Sequence, residues 1–222
     1  MARIARVVAQ GYPHHVTQRG NRRQRVFFND EDYQAYLDLL SEWCLHEGVE
    51  VWAYCLMPNH VHLMVVPHSP EGLAGAIGET HRRYTRRVNF REQWRGYLWQ
   101  GRFASFPMEG PYAVACARYI ELNPVRAGLV KKPEAWRWSS SGAHLRGEYG
   151  AIIRSPKPLG SPQEWASLLK GGLAEAEAEA IRRCERTGRP LGSDRFIERL
   201  EGRLGRTLKP QKPGRKKKGE EQ

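Results

Sequence analysis

The segment that most narrows the possible folds lies between residues 49 and 66. Val49–Met57 (VEVWAYCLM) and His60–Val66 (HVHLMVV) are two apolar runs separated only by Pro58-Asn59. Each is short for a helix and rich in residues that favour strands, and a proline-asparagine pair makes a tight turn, so the two read as an antiparallel hairpin. Upstream, Tyr33, Tyr36, Leu37, Leu40, Trp43 and Cys44 recur at helical spacing. Asn29 stands at the N-cap, Asp30, Glu31 and Asp32 fill the first turn, and Gly48 closes the helix. Earlier still, His14 to Arg19 (HHVTQR) is a short strand that ends at Gly20-Asn21 and runs into a basic loop, Arg22 to Arg25. Downstream, residues 70–89 read as a helix with Arg82, Arg83, Arg86 and Arg87 on a basic face. Residues 98–108 read as extended and broken near Gly101, and a helix runs from Pro111 through Tyr119 until Pro124 stops it. This order (strand, helix, strand, strand, helix, strand, helix) predicts an α+β, ferredoxin-like fold: an antiparallel sheet with helices on one face.

Composition supports a folded, basic protein. The 222 residues carry 36 Lys+Arg against 24 Asp+Glu, a formal net charge of +12, with 40% hydrophobic residues. That apolar content excludes a wholly disordered chain. No apolar run approaches the length of a membrane-spanning helix, and the start shows no signal peptide, so a cytoplasmic, nucleoid-associated location is expected. Cys44, Cys55, Cys116 and Cys184 show no C-x-x-C spacing and read as reduced packing residues. Basic residues displace counterions from polyanions, which makes nucleic acid the first partner to consider, although a solubilising surface has the same composition. More than half of the excess charge falls after residue 150. There Pro156, Pro158, Gly160 and Pro162 read as a linker, Ala174 to Glu179 as helix-prone, and Ser193-Asp194 as the cap of a short helix carrying Phe196, Ile197, Leu200 and Leu204. The proline-broken basic stretch from Lys209 to Gly219 reads as a disordered tail.

His60-Val61-His62 is the first candidate for chemistry. Residues i and i+2 of a strand project from one face, so both imidazoles can converge on a divalent ion while Val61 enters the opposite layer. Two half-buried strand histidines fit the same spacing. A metal site needs a further donor and open positions for substrate. Tyr119 and Asn123 stand four apart on the expected helix and so share a face. If that helix packs over the histidine strand, Asn123 offers an oxygen ligand and Tyr119 a nucleophile. The alternative is a core tyrosine and a polar helix end before Pro124.

Four strings together resemble a known family. They are His15-Val16-Thr17-Gln18-Arg19-Gly20-Asn21, Met57-Pro58-Asn59-His60-Val61-His62-Leu63, Leu98-Trp99-Gln100-Gly101-Arg102-Phe103, and Tyr119 through Val130 (YIELNPVRAGLV). In this order they resemble the REP-associated tyrosine transposases, relatives of the single-tyrosine HUH transposases of insertion sequences. The resemblance implies an HUH domain over residues 1–145, a linker and small helical extension over 146–208, and a basic tail over 209–222. It implies single-stranded, hairpin-forming DNA as substrate and Mg²⁺ or Mn²⁺ as cofactor. By position, His60 and His62 become metal ligands, Asn123 completes the metal site, and Tyr119 forms a covalent 5′-phosphotyrosine. An ordinary imidazole would release the metal as pH falls below about 6.5. Glu121 departs from the family pattern and reads as a group behind the metal site or a solvated bystander. Arg82, Arg83, Arg86, Arg87 and Arg102, with Lys212, Arg215 and Lys216 of the tail, are the expected DNA contacts. Trp99 and Phe103 are either base-stacking or core residues. A non-catalytic DNA-binding regulator retaining the fold is the alternative function. A replication initiator with paired tyrosines and a zinc hydrolase fit less well, for want of a second tyrosine at suitable spacing and of an H-E-x-x-H helix. Monomer and dimer stay open.

Overall fold

A computed structural model describes residues 4–153 and 159–210 of the chain. Four strands, β1 (His14–Arg19), β2 (Val49–Met57), β3 (His60–Pro67) and β4 (Ala104–Pro107), form one sheet in the order β2-β3-β1-β4. Each neighbouring pair is antiparallel. Helix α1 (Asp30–His46) joins β1 to β2, and α2 (Gly72–Arg91) joins β3 to β4. This is the ferredoxin-like βαββαβ arrangement read from the sequence. Asn29 caps α1 as expected, its side chain accepting from the Asp32 N–H at 2.9 Å, while the Asp32 carboxylate accepts from the Phe28 N–H at 3.0 Å. The Pro58-Asn59 turn sets the hairpin register, with Met57 opposite His60.

The sheet has helices on both faces, not on one. Val16, Val61, Leu63 and Val65 meet Tyr36 and Leu40 of α1 and Leu73, Ile77 and Tyr84 of α2 on the first face. Ala53, Cys55, Met57, Met64 and Phe106 meet α3 (Gly110–Glu121), α6 (Pro162–Lys170) and α7 (Glu175–Thr187) on the second. The reason lies in β3. Leu63-Met64-Val65-Val66 is continuously apolar, and a strand without polar alternation must be covered on both sides. Short helices α4 (Asn123–Arg126) and α5 (Ser141–Arg146) follow α3, and α8 (Asp194–Leu204) closes the described chain. Ser193 caps α8 as expected, accepting from the Phe196 N–H, and Phe196 and Leu200 pack on Val7 and Ala9. All four cysteines are buried free thiols. The expected extended run over 98–108 is a strand only from Ala104; ahead of it, Trp99 makes a single bridge to Gly20. Among the described residues no helix is long and apolar enough to cross a membrane.

Candidate active site

Alternation in the two central strands builds the site. His15 of β1 and His60 and His62 of β3 all project from the second face. The His60 and His62 rings lie 4.9 Å apart between centroids, and His15 stacks on His62 at 5.2 Å. Helix α3 crosses this face and sets the Tyr119 ring 5.8 Å from His62 and 6.0 Å from His15. The tyrosine and the histidine pair are therefore neighbours across two separately encoded elements.

A cavity of about 850 Å³ opens over His60 and His62. Arg19, Arg22, Arg23, Arg102 and Arg186 line it, together with Gln100 and Glu185. Arg22 and Arg23 have φ of 50° and 62°. This left-handed backbone costs about 1–2 kcal/mol per residue away from glycine. Gly20 makes the preceding turn possible, because a Cβ there would stand 2.3 Å from the Gln24 carbonyl oxygen and 2.8 Å from Val26. The strained loop thus holds two guanidiniums at the mouth of a histidine-floored cavity.

Hydrogen bonding fixes one ring nitrogen. The Asn59 amide nitrogen donates to the Arg23 carbonyl at 3.1 Å, so its oxygen faces His60 Nδ1 at 2.6 Å. An amide oxygen only accepts, so Nδ1 carries the proton and Nε2 of His60 is left bare. Burial, assisted by Arg19, pushes His60 down to about 4, and burial pushes His15 down to about 3. His62 is held well below the usual imidazole range by burial and then by His60 and His15. All three rings are neutral near pH 7, as metal ligands must be. A bare Nε2 on His60, neutral imidazoles and the adjoining Glu185 carboxylate make a donor set that fits a divalent cation.

Tyr119 is a buried phenol, pushed up to about 12 by burial and by Glu185, with Arg126 pulling the other way. The Arg126 guanidinium lies 4.8 Å over its ring. Asn123 does not continue the same helix. Helix α3 ends at Glu121, and Asn123 opens α4, its amide reaching back to the Tyr119 carbonyl at 3.5 Å. Pro124 forces the break, since it supplies no N–H to an unbroken α3. Among the described residues, the lining of the cavity includes neither Asn123 nor Tyr119.

Two acidic residues differ from, or are absent from, the sequence reading. Glu121 is fully buried and accepts from Ser140 Oγ at 2.5 Å, His144 Nδ1 at 2.5 Å and Trp165 Nε1 at 2.8 Å. It is neither solvated nor behind the histidines. Glu185 of α7 places its Oε1 3.6 Å from His15 Nδ1 and 3.7 Å from His62 Nδ1. His15, His62 and Glu185 offer three ligand atoms within 4.8 Å of one another. Burial pushes Glu185 up to about 7 against the pull of Arg19, Arg182, Arg126 and Arg186. No local motif marks Glu185. The in-register placement of His15 beside the H-x-H strand was the one signal available for that histidine.

The expected DNA-contact residues that the structure describes fall in three places. Arg102 lines the histidine cavity and also a second groove with Arg82 and the exposed Tyr97. Arg82, Arg83, Arg86 and Arg87 line a third groove on α2 with Phe90, which is 80% exposed. Arg82 and Arg83 are paired with Glu79, and Arg83 also stacks over Trp43. Trp99 and Phe103 are core residues, both 6% exposed and packed around His81. Lys212, Arg215 and Lys216 lie outside the described residues. Lys209, read as part of the free tail, is held by Glu198 at 2.7 Å and Asp194 at 3.6 Å.

Comparison with known proteins places this geometry in context. A family described as "Transposase IS200 like" matches residues 8–123. A Haemophilus influenzae protein named as a REP-associated tyrosine transposase is 28% identical over 119 residues, covering 49% of this chain and 68% of that one. A solved REP-associated tyrosine transposase, bound to a REP hairpin, superposes with a TM-score of 0.56 at 22% identity, covering 70% of this chain and 92% of the other. That last likeness is one of fold.

Proposed function

The chain belongs to the IS200-like transposase family, and from that premise we propose that it cuts and rejoins single-stranded, hairpin-forming DNA through a covalent tyrosine-phosphate intermediate. The observation that carries this reading is the placement of Tyr119 against His62 and His15, beside a cavity floored by His60 and His62 and walled by arginines. The relatives named as REP-associated transposases, one of them bound to a hairpin, support the substrate class.

His60 and His62 would hold Mg²⁺ or Mn²⁺, with Asn123 as the proposed oxygen donor. Bound there, the ion would polarise a non-bridging phosphate oxygen and steady the charge of the transition state. The rest is the work of the chain. Arg19, Arg22, Arg23 and Arg102 hold the backbone phosphates across the cavity. Tyr119 Oη attacks phosphorus in line, the bond from phosphorus to the 3′ oxygen breaks, and the departing oxygen takes a proton to become a 3′-hydroxyl. The phenolic proton must leave, and with Tyr119 at about 12 this is costly near pH 7. Arg126 over the ring favours the phenolate and lowers that cost. Attack of a 3′-hydroxyl on the phosphotyrosine reverses the steps and rejoins the strand without an external energy source. The joined grooves carrying Arg102, Tyr97, Arg82, Arg86, Arg87 and Phe90 extend the basic surface away from the cavity along α2.

The test uses single-stranded oligonucleotides containing short palindromes from the DNA flanking the gene, with Mg²⁺ or Mn²⁺. A protein–DNA adduct resistant to denaturing gels is expected from the native chain and none from Tyr119→Phe, while hairpin affinity changes less than about threefold. An adduct surviving in Tyr119→Phe overturns the assignment. Tight hairpin binding with no adduct under either metal favours the non-catalytic regulator instead.

A further inference from the structure

The tautomer of His60 is set by Asn59, and that of His62 depends on its contact with His15. His62 Nδ1 lies 3.0 Å from His15 Nε2. One of these nitrogens donates and the other accepts, so two tautomeric arrangements are possible. If His15 Nε2–H donates, His62 Nδ1 is a bare acceptor and His62 Nε2 carries a hydrogen, which disables it as a ligand. His15 Nδ1 is then also bare, and it would turn a lone pair toward the Glu185 carboxylate oxygen 3.6 Å away. If instead His62 Nδ1–H donates, His15 Nδ1 carries a hydrogen directed at that oxygen, and His62 Nε2 is free. His15 Nδ1 and Glu185 Oε1 are both buried, and neither has a hydrogen-bond partner among the described residues. A small rotation of the carboxylate brings them within the ~3.2 Å of a hydrogen bond and satisfies both.

We propose that Glu185 of the C-terminal extension is a positioning residue for the metal site: acting through His15, it fixes His62 in the Nδ1–H tautomer and leaves Nε2 for the ion. This deepens the reading of His60 and His62 as ligands and rests on it. Groups behind a metal-binding histidine commonly account for 10- to 100-fold in metal affinity. Glu185 lies beyond residues 8–123, so this support comes from outside the stretch that the family matches.

The tautomer is measured on the 222-residue, metal-free protein, without DNA, by long-range proton–nitrogen NMR of ¹⁵N-histidine. A pH of about 8.5 keeps the Glu185 carboxyl ionised, because a protonated carboxyl would favour the opposite arrangement. His62 signals are identified by their loss in His62→Gln. The expected result is the Nδ1–H form at both His15 and His62 in the native chain and a shift toward Nε2–H in Glu185→Ala. Mn²⁺ affinity by calorimetry should fall about tenfold or more in Glu185→Ala. Glu185→Gln, whose amide oxygen still accepts, should restore most of the tautomer and the affinity. Nε2–H at His62 in the native chain overturns the proposal, as does an unchanged tautomer in Glu185→Ala. A loss of Mn²⁺ binding in Glu185→Gln equal to that in Glu185→Ala, with the tautomer intact, overturns it as well, because the carboxylate would then be a ligand. If the native chain binds no Mn²⁺, the reading of His60 and His62 as ligands fails on its own, while the tautomer measurement still decides the role of Glu185.

Discussion

Glu121 shows how a residue two positions from Tyr119, the proposed nucleophile, can serve an unrelated purpose. Helical geometry turns the chain about 100° per residue, so Glu121 points roughly 200° away from Tyr119 and cannot share its face. It turns instead toward Ser140 and His144, at the start of and within α5, and toward Trp165 of α6, two separate stretches of sequence. One buried carboxylate thereby fastens α3 to the segment after it and to α6. Replacing it by leucine strands His144 Nδ1 and Trp165 Nε1 in a dry interior, whereas Ser140 keeps the Tyr54 carbonyl at 3.2 Å, and each unsatisfied group costs about 1–3 kcal/mol. We expect Glu121→Leu to lower the unfolding free energy by roughly 3 kcal/mol or more in urea titrations. Glu121→Gln, which keeps an acceptor, should lose less. Equal losses in the two variants would show that shape, not hydrogen bonding, accounts for the effect. At this scale the sequence disclosed what alternation and periodicity disclose. His60 and His62 were legible because a strand places i and i+2 together, whereas the partners of Glu121 lie 19 to 44 residues away and no local pattern joins them.

Helix α2 and the loop after it divide their basic and aromatic residues between two roles. The charge of Arg82 is directed to Glu79, and Arg83 is split between Glu79 and the face of Trp43. Arg86 and Arg87 line the same groove as these two and therefore hold the stronger claim on phosphate. Each phosphate contact on a single strand adds about 0.7 to the slope of log affinity against log salt. Arg86→Gln and Arg87→Gln should each flatten that slope by about 0.7, and Arg82→Gln by less, in anisotropy titrations across a salt series. The aromatics divide in a similar way. Trp99 and Phe103 are enclosed around His81, whereas Tyr97 is 85% exposed on the groove shared with Arg102. Tyr97→Ala should cost about 1–3 kcal/mol of single-strand affinity with stability intact, as loss of a base-stacking ring does. Trp99→Ala should instead lower the unfolding free energy, because removal of a buried tryptophan costs about 3–5 kcal/mol. A string motif around Trp99 could not distinguish these roles, since hydrophobic identity alone does not say which ring in a run such as Tyr97-Leu98-Trp99 is covered.

At the scale of the molecule, the βαββαβ order was legible because each element carries its own period and caps, but the covering of the second sheet face was not. Residues 156–162 have the proline and glycine content of a linker, yet the chain beyond returns to the sheet. Leu191 exchanges backbone hydrogen bonds with Pro107 and Glu109, and α7 brings Glu185 to the histidines. Covering both faces also buries histidines that take no part in the site, which makes the fold sensitive to acid. His14 donates from Nδ1 to the Tyr12 carbonyl at 2.8 Å and accepts at Nε2 from the Ala9 N–H at 3.1 Å, so a second ring proton has no acceptor. His81 faces the Tyr36 hydroxyl at 2.9 Å in the first-face core. Burial pushes His14 down to about 4 and His81 to about 3, from 6.5. Between about pH 6.5 and 4 the unfolded chain binds protons that the folded chain refuses, so stability is complete above 6.5 and declines as the pH falls. Each such histidine contributes about 1.4 kcal/mol per pH unit well inside that window. His15 and His60 act in the same direction. Glu185 acts in the opposite direction: its carboxyl, raised to about 7 from 4.5, holds a proton in the fold that the unfolded chain releases, which offsets one histidine across 4.5 to 7. The histidines outnumber it, so the urea midpoint of the metal-free protein should hold from about pH 8 to 6.5 and fall steeply toward pH 5. His81→Gln should flatten that fall by about one proton's worth of slope, even if it lowers the plateau. A midpoint that stays level from pH 7 to 5 would mean that the buried rings reach solvent before the fold opens.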